Sequence, residues 1–434
     1  MSRSDIPNSA QVWGSDPIAA TLRALGFEYI ALTPGASFRG LHDSLVNYLG
    51  NTRPELLLCL HEEHAVSIAH GYTRVTGKPM AVALHSNVGL MHATMAIFNA
   101  WVDRVPIFML GAVGPVDAVQ RRPWVDWIHT ASALGALIRG YTKWDNQPAS
   151  VPATLEAMVR AYQIAMTAPR GPVYVCLDAA MQELPLDPPP ELPPLARFAV
   201  PSPLEPAAEA VEQAAKALAG ARSPLILMGR VTSDREDWAR RVALAERLDA
   251  RVLTDIKNGA VFPTTHRLHP CPPALYVGEA GAELIRDADV ILALDWIDLG
   301  GTLKQACGGA WPKATVISCS PDQLVHNGYS MDYQMLPPAE VAMLASPDRL
   351  VPLLLGRLGS APERPAARTA PAKAPSANGG TTDAPGQGQG IRIDDFAGTV
   401  ARVLAKQKPS YIRLPLGWPG EHCRFEDPLD YIGF

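Results

Sequence analysis

The sequence predicts an α/β protein with two doubly wound parallel-sheet domains and a short C-terminal fragment. Apolar runs of strand length alternate with amphipathic stretches of helix length in two blocks, at residues 16–184 and 207–358. Such alternation is typical of parallel sheets with helices on both faces. A proline-dense segment separates the blocks, and 434 residues suffice for about two or three domains.

The first block, which we assign to a domain at residues 1–185, begins with a helix and then alternates strands and helices. The predicted strands are Phe27 to Leu32, Met80 to His85, Pro106 to Leu110 and Pro172 to Leu177. The predicted helices are Asp16 to Leu25, Glu63 to Thr76, Gly89 to Val102 and Val151 to Thr167. The proline content of residues 186–206 indicates an extended linker.

The second block, at residues 207–358, repeats the pattern. Its predicted strands are Pro224 to Met228, Arg251 to Thr254, Val290 to Ala293 and Thr315 to Cys319, and its helices are Asp234 to Leu248 and Ala280 to Asp287. Residues 359–390 are rich in Pro, Ala, Gly and Thr, which predicts a disordered linker. Residues 391–434 offer one helix, Asp394 to Ala405, and one strand, Tyr411 to Leu416, which are too few elements for a domain.

Composition and charge exclude several classes of protein. With 47% hydrophobic and 19% charged residues, the chain has the composition of a soluble globular protein. A net charge of −5 without a Lys/Arg run argues against nucleic acid or an anionic membrane as partner. Neither a signal peptide nor a membrane-spanning run is visible, so we expect a cytoplasmic protein. The six cysteines lack C-x-x-C spacing, which favours reduced thiols.

The segment Leu60-His61-Glu62-Glu63-His64 is the richest candidate site. Glu62 follows an apolar run and opens a helix, so its carboxylate lies at a strand-to-helix junction, where it can share a proton with a buried heterocycle. One alternative is that acidic residues merely favour a helix N-terminus through its dipole. Another is zinc, but Ala65 occupies the second histidine position of H-E-x-x-H, and we predict no metal ligand in this chain.

Six motifs in the first block carry a resemblance to a known family. They are Thr33-Pro34-Gly35-Ala36-Ser37, the Leu60-His61-Glu62 start, Gly71-Tyr72-Thr73-Arg74 with Gly77-Lys78-Pro79, His85-Ser86-Asn87-Val88-Gly89, Asn99-Ala100-Trp101 with Val105-Pro106, and Ala168-Pro169-Arg170-Gly171-Pro172-Val173. Their order resembles the pyrimidine-binding domain of the thiamine diphosphate enzymes, which include acetolactate synthase, pyruvate oxidase and benzoylformate decarboxylase. The second block is similar to the central domain of that family. His85-Ser86 and Tyr141-Thr142-Lys143-Trp144 favour the benzoylformate decarboxylase branch.

The resemblance implies thiamine diphosphate as the cofactor and assigns roles to residues. Glu62 would activate the aminopyrimidine ring, with Glu63 the less favoured candidate, and His85 would act as acid or base near the substrate. A hydrogen-bonded core histidine is the alternative for His85. Further cofactor-binding candidates are Pro34, Gly35, Asn87 and Asn99, and further substrate-pocket candidates are Ala36, Ser37 and Ser86. FAD, which synthases of this family bind, is not favoured.

The sequence departs from the decarboxylase pattern at two places. Ala36 stands where that branch often carries Ser, which leaves Ser37 as the candidate hydroxyl. The branch also places a second active-site histidine after the strand that matches Val290 to Leu294. No histidine occurs between Asp295 and Thr302, and Asp298 is the candidate replacement.

The family binds Mg²⁺ and the diphosphate through a Gly-Asp-Gly motif, and this tripeptide does not occur in the sequence. Residues 391–434 resemble only the first helix and strand of the diphosphate-binding domain. The resemblance therefore implies a second subunit that supplies the Mg²⁺–diphosphate site, in an α2β2 or larger assembly, with residues 391–434 completing its sheet; a longer chain cut near Phe434 is the alternative.

The expected function is that of the large, alpha-like subunit of a two-component lyase or decarboxylase acting on a 2-oxo acid or acyloin. An acetolactate synthase-like carboligase is one alternative. A catalytically silent scaffolding or regulatory subunit is the other.

Overall fold

The computed structural model describes residues 11–322, 336–359, 390–415 and 417–433. The chain divides into two compact units between Ser202 and Pro203. The predicted disordered linker at residues 359–390 lies, apart from its first and last residues, outside the described residues. None of the described helices combines the length and the apolar character needed to cross a membrane.

The first unit is built on a six-stranded sheet in which every neighbouring pair is parallel. The strands of this unit are β1 (Val12–Trp13), β2 (Tyr29–Leu32), β3 (Glu55–Leu58), β4 (Met80–His85), β5 (Ile107–Val113), β6 (Trp144–Asn146), β7 (Val173–Asp178) and β8 (Pro185–Leu186). Within the sheet the order is β3-β2-β4-β5-β7-β6, while β1 and β8 form a separate antiparallel pair.

Helices cover both faces of this sheet. They are α1 (Ser15–Ala24), α2 (Arg39–Asp43), α3 (Glu62–Thr76), α4 (Ser86–Val102), α5 (Asp126–His129), α6 (Val151–Met166) and α7 (Ala179–Gln182). Alternate residues of β4 join different cores, because successive strand side chains point to opposite faces. Ala81 and Ala83 pack with α1 and α6, whereas Val82 and Leu84 pack with α3 and α4. The unit is therefore doubly wound, as the sequence predicts.

The second unit repeats this architecture with five strands. They are β9 (Pro224–Met228), β10 (Arg251–Thr254), β11 (Val290–Leu294), β12 (Thr315–Ser320) and β13 (Val341–Leu344), in the order β10-β9-β11-β12-β13 with all pairs parallel. The helices are α8 (Ala208–Gly220), α9 (Arg235–Leu248), α10 (Glu279–Asp287), α11 (Leu299–Ala306), α12 (Pro347–Arg357) and α13 (Ile393–Leu404). Two hydrophobic clusters, one on each face, confirm the second doubly wound domain.

The C-terminal segment differs from its prediction in one respect. Helix α13 agrees with the predicted helix to within one residue at each end, but the strand predicted at Tyr411 to Leu416 is wrong. Among the described residues of that stretch, Tyr411 alone forms a β-bridge, with Tyr431. The backbone turns at Arg413, whose φ of 51° is incompatible with an extended strand.

The aromatic tail that follows packs on the second unit. Trp418, Phe425 and Tyr431 form a buried cluster with Trp238 and Ile256. The Tyr431 hydroxyl donates a 2.7 Å hydrogen bond to the carbonyl of Ile256. The burial of these rings accounts for the position of the tail, because each large aromatic side chain removes a large apolar area from water.

Candidate active site

The predicted site residues follow three strands that end at the same edge of the first sheet. The turn at Thr33 follows β2, Glu62 opens the helix after β3, and His85 ends β4. In open parallel sheets, ligands bind outside the carboxyl ends of the strands. The fold therefore places the candidate residues where a ligand of this class of fold binds.

Glu62 is the first residue of α3 and is buried, with 6% of its surface exposed. Its position is fixed by the preceding residue: His61 caps the helix, and its Nδ1 accepts a hydrogen bond from the Glu63 N–H at 3.2 Å. Gly89 lies against the Glu62 side chain, and a Cβ there would lie 3.0 Å from the Glu62 Cγ and 3.1 Å from its Oε1. The N-terminal end of a helix also favours the negative charge.

His92 contacts the Glu62 carboxylate and was missed by the sequence analysis. Its Nδ1 lies 3.3 Å from the Glu62 Oε2, and its side chain is half exposed. Residues three apart on a helix share a face, so Gly89 and His92 both face Glu62. Gly89 leaves room for the Glu62 side chain, and His92 provides a polar group beside its carboxylate. That spacing is the signal by which the sequence could have revealed His92.

His61, Glu62 and His92 each offer a ligand atom within 4.8 Å of the others. The His61 and His92 rings are stacked, with centroids 5.0 Å apart and an interplanar angle of 18°. A metal ion lies near the plane of each imidazole that binds it, so rings stacked face to face cannot both direct a nitrogen at one ion. As they stand, these imidazoles surround a carboxylate rather than form a metal centre.

His85 lies between β4 and α4 and contacts the turn after β2. Its Nδ1 is hydrogen-bonded to the Ser37 Oγ at 2.9 Å, and its ring meets the edge of Phe38. Burial lowers the pKa of His85, and nearby His129 lowers it further. The imidazole is therefore neutral near pH 7, which suits a group that must take up a proton and give it back.

The turn after β2 approaches His85 so closely that only glycine fits. A Cβ on Gly35 would lie 2.3 Å from the His85 Cγ. Pro34 and Ala36, on either side of Gly35, are exposed, and Ser37 is buried. The predicted pocket residues Ser37 and His85 are thus brought together by this turn.

Ser86 and Asn87 use their side chains to hold the segment that ends at His129. The Ser86 Oγ donates to the carbonyl of His129, and the Asn87 Nδ2 donates to the carbonyl of Ile128 at 3.2 Å. Ser86 has a left-handed backbone with φ of 47°. These bonds fasten α5 over the end of β4, and a direct contact of Ser86 or Asn87 with a ligand stays a prediction.

The structure does not bring Asn99 to this cluster. Asn99 lies near the C-terminal end of α4, whereas the site lies at its N-terminal end. At roughly 1.5 Å of rise per residue, about 20 Å of helix separates Ser86 from Asn99. The structure thus separates Asn99 from the cluster around Glu62 and His85, and its assignment to cofactor binding stays a prediction.

His129 is the second histidine that the sequence analysis missed. Its ring lies against that of His85, with centroids 4.8 Å apart. Its Nδ1 is buried and has no hydrogen-bond partner in the part of the chain that the structure describes. It ends a helix of four residues, too short for any periodic signal, so the sequence alone gives no reason to place it beside β4.

Asp298, the predicted replacement for a missing histidine, lies in the second unit. It is the N-cap of α11, and its Oδ1 accepts a 2.9 Å hydrogen bond from the N–H of Gly301. Burial raises the pKa of Asp298. Its observed contact is that of a helix cap, and a catalytic role stays a prediction.

Comparisons with known proteins agree with this geometry. Residues 12–134 match the family model described as the N-terminal TPP binding domain of thiamine pyrophosphate enzymes, and residues 211–342 match the model of their central domain. The chain belongs to the thiamine pyrophosphate enzymes. The first match contains β1 to β5 of this thiamine pyrophosphate enzyme, and the second contains β9 to β12.

Relatives of this thiamine pyrophosphate enzyme carry several activities. It is 28% identical to the sulfoacetaldehyde acetyltransferase of Rhodobacter capsulatus, over 61% of the chain and 44% of the relative. It is 26% identical to the acetolactate synthase large subunit of Corynebacterium glutamicum, over 65% of the chain and 44% of the relative. The chain thus matches less than half the length of these curated relatives.

A solved structure shares the fold. The benzoylformate decarboxylase from Polynucleobacter necessarius superposes with a TM-score of 0.76, at 20% identity, over 96% of this chain and 73% of that one. At this identity the likeness supports the architecture alone.

The residues at the sheet edge fit the aminopyrimidine half of thiamine diphosphate. That ring needs a carboxylate acceptor shielded from water, and Glu62 offers one that is buried, directly follows the helix cap His61 and lies against Gly89. Glu62 would therefore hold the ring, with His85 and Ser37 on the neighbouring strand end.

Proposed function

We propose that this chain is the large subunit of a two-component thiamine diphosphate-dependent lyase or decarboxylase. Its substrate is a 2-oxo acid or an acyloin. The observation that carries the proposal is the buried carboxylate of Glu62, at the same sheet edge as the His85–Ser37 pair. A merely structural acidic residue at a helix start needs no such enclosure.

The residues of this chain supply proton chemistry and orientation. When bound, the cofactor supplies the carbon nucleophile and the electron sink for breaking a bond next to a carbonyl. Glu62 would hold the aminopyrimidine ring and share a proton with it, and His92 contacts the carboxylate from the solvent side. His85, neutral because of its burial, takes and returns a proton at the substrate, and Ser37 orients its ring.

A partner chain supplies the Mg²⁺–diphosphate site in this proposal. One observation that supports it is the absence of a Gly-Asp-Gly tripeptide from the sequence. Helix α13 also exposes Phe396 and Val403, with 51% and 64% of their surfaces accessible, which suits a helix that completes another subunit's domain in an α2β2 or larger assembly.

A carboligase of the acetolactate synthase type is the second candidate. The curated relatives favour it, since they include an acetyltransferase and an acetolactate synthase large subunit. It would use Glu62 in the same way, so the two candidates differ in the fate of the substrate carbon and separate by product analysis. A silent subunit is disfavoured, because it would have no need of the enclosed carboxylate.

The first prediction tests Glu62 against its neighbour. The chain is co-expressed with the protein that carries the diphosphate domain, and consumption of pyruvate and benzoylformate is measured with Mg²⁺ and thiamine diphosphate. We expect Glu62→Gln to lower kcat by about 10²–10⁴-fold, because the amide cannot share the proton. Glu63→Gln is the matched control and should keep its activity.

The outcomes separate the parts of the proposal. Full activity of Glu62→Gln would refute the role of that carboxylate. Activity of this chain without any partner would refute the two-component arrangement and leave Glu62 in place. Aldehyde as the product supports the decarboxylase, and a condensation product supports the carboligase.

A further inference from the structure

We propose that His129 is the second active-site imidazole of this enzyme, and that it works with His85 in moving protons at the substrate. This inference rests on the proposed function. The segment between Asp295 and Thr302, in the second unit, contains no histidine, and His129 of the first unit would take the place of that missing imidazole.

Hydrogen bonds from neighbouring side chains hold the two imidazoles in contact. The His129 and His85 rings lie 4.8 Å apart at an angle of 48°. The Ser86 hydroxyl holds the backbone carbonyl of His129, and the Asn87 amide holds that of the residue before it. Both anchoring residues directly follow His85, so the chain that carries one imidazole also fixes the other.

The buried Nδ1 of His129 is available for a ligand. It lacks a hydrogen-bond partner within the described ranges, although buried polar atoms are nearly always paired. The Nδ1 of His85, by contrast, is hydrogen-bonded to the Ser37 hydroxyl. A polar atom of the substrate would satisfy the His129 nitrogen at the sheet edge that carries both Glu62 and His85.

The reaction itself calls for two proton-handling groups. Decarboxylation converts R–CO–COO⁻ and one H⁺ into R–CHO and CO₂: the bond to the carboxylate breaks, and its electron pair stays on the former carbonyl carbon. That carbon gains the one proton consumed, and the oxygen beside it takes up a proton when the carbonyl becomes a hydroxyl and releases it again as the aldehyde carbonyl forms. Two imidazoles that lie side by side can divide these transfers between them, so that neither has to perform all of them.

The groups around the pair keep it from holding two protons. Adjacent imidazoles disfavour double protonation, because like charges at this distance repel. Arg122 adds a further positive charge, but Asp126 binds it through a 3.0 Å contact between Arg122 Nη2 and Asp126 Oδ1. Glu62, from α3, is the remaining charge that acts on His85. A pair that carries two positive charges at once is therefore disfavoured.

The first test needs neither cofactor nor partner. The full chain is labelled with ¹⁵N-histidine, and the imidazole signals are followed by NMR as the pH is changed. His129→Asn removes the neighbouring imidazole that lowers the pKa of His85, so that pKa should rise. His64→Asn, an exposed histidine on α3, is the control and should leave the His85 titration unchanged. An unmoved His85 titration in His129→Asn would overturn the pairing.

The second test addresses the reaction in the complex with the partner, with pyruvate and benzoylformate as probes. We expect His129→Asn and His129→Gln to lower kcat by about 10²–10⁴-fold with a KM changed only a few-fold, and to flatten one limb of the pH profile. Unchanged kcat and pH profile would overturn the inference. Loss in His129→Asn together with full activity of Glu62→Gln would reject the proposed role of Glu62 and keep that of His129.

Discussion

At the scale of single residues, two glycines make room for the two groups that would do the chemistry. Gly89 allows the Glu62 carboxylate to be buried, and Gly35 allows the turn after β2 to reach the His85 ring. Neither glycine is required by its backbone, since neither has a positive φ. Their absent side chains are therefore part of the site.

A second prediction concerns Gly35. Its Cβ in Gly35→Ala would lie 2.3 Å from the His85 Cγ, so the imidazole must move and lose its bond to Ser37. We expect kcat to fall about 10²-fold or more, as when an acid–base group is misplaced. The Cβ of Gly71→Ala in α3 would have no atom within 4 Å, so this control should leave kcat unchanged. It should raise the free energy of unfolding by about 0.5–1 kcal/mol, because alanine favours the helix over glycine. Equal activities in the two variants would contradict the close-approach argument.

The sequence revealed Glu62, His85 and Ser37 because each lies beside a strand end or turn whose local pattern is recognisable. It did not reveal His92 and His129. His92 reaches Glu62 only through the packing of α3 on α4, and His129 reaches His85 only through the path of an irregular segment. Contacts of that kind depend on tertiary structure, which a local pattern does not record.

At the scale of elements, a buried ion pair joins α9 to α12 in the second unit. The Arg241 side chain is fully buried, and its Nη1 lies 2.9 Å from the Asp348 Oδ1. The same guanidinium donates to the carbonyls of Thr232 and Val261. The two helices and the loop between β9 and α9 are thus held by one side chain, each of whose three nitrogens makes a hydrogen bond.

The third prediction follows from that arrangement. Arg241→Met leaves the Asp348 carboxylate, whose side chain is 18% exposed, without its cation, which should lower the free energy of unfolding by about 3 kcal/mol, the lower end of the range for a buried pair. Combining it with Asp348→Leu should recover much of the loss, because neither charge is then left unpaired. Urea unfolding followed by circular dichroism measures both variants. A double variant as unstable as the single one would show that packing, not charge, determines the effect.

The long elements of both sheets could be predicted, and the shorter or interrupted ones could not. Strands β9 and β10 match their predicted bounds, since continuous apolar runs mark buried parallel strands. Helix α12 was missed because Pro352 lies inside it, and an internal proline usually ends a helix. Strand β6 has three residues, too few for a pattern.

At the scale of the whole molecule, the chain consists of two sheets of the same design and a tail that closes on the second. The tail was expected to form a separate fragment because a helix and a strand lack partners in sequence. Its anchoring residues, Phe425 and Tyr431, meet a segment that lies far away along the chain, so the sequence pattern could not reveal the contact.

The fourth prediction tests that anchoring. Tyr431 is 1% exposed and stacks on Phe425 with centroids 5.3 Å apart, so Tyr431→Ala should cost about 3–5 kcal/mol in the second unit. Tyr276→Ala, at a tyrosine that is 72% exposed, is the control. Tryptophan fluorescence during urea unfolding reports the change, because Trp238 and Trp418 lie in the same cluster. Identical midpoints for the two variants would refute the anchoring role.

The left-handed backbone at Ser86 limits which residues can occupy that position. Glycine, asparagine and aspartate tolerate such a conformation most readily, yet none carries the short hydroxyl that reaches the His129 carbonyl. Threonine carries the hydroxyl, but its branched Cβ is strained there. A library of all residues at position 86, selected for activity, should therefore yield mainly serine. Glycine, asparagine and aspartate variants should fold but lose the hydrogen bond that holds α5.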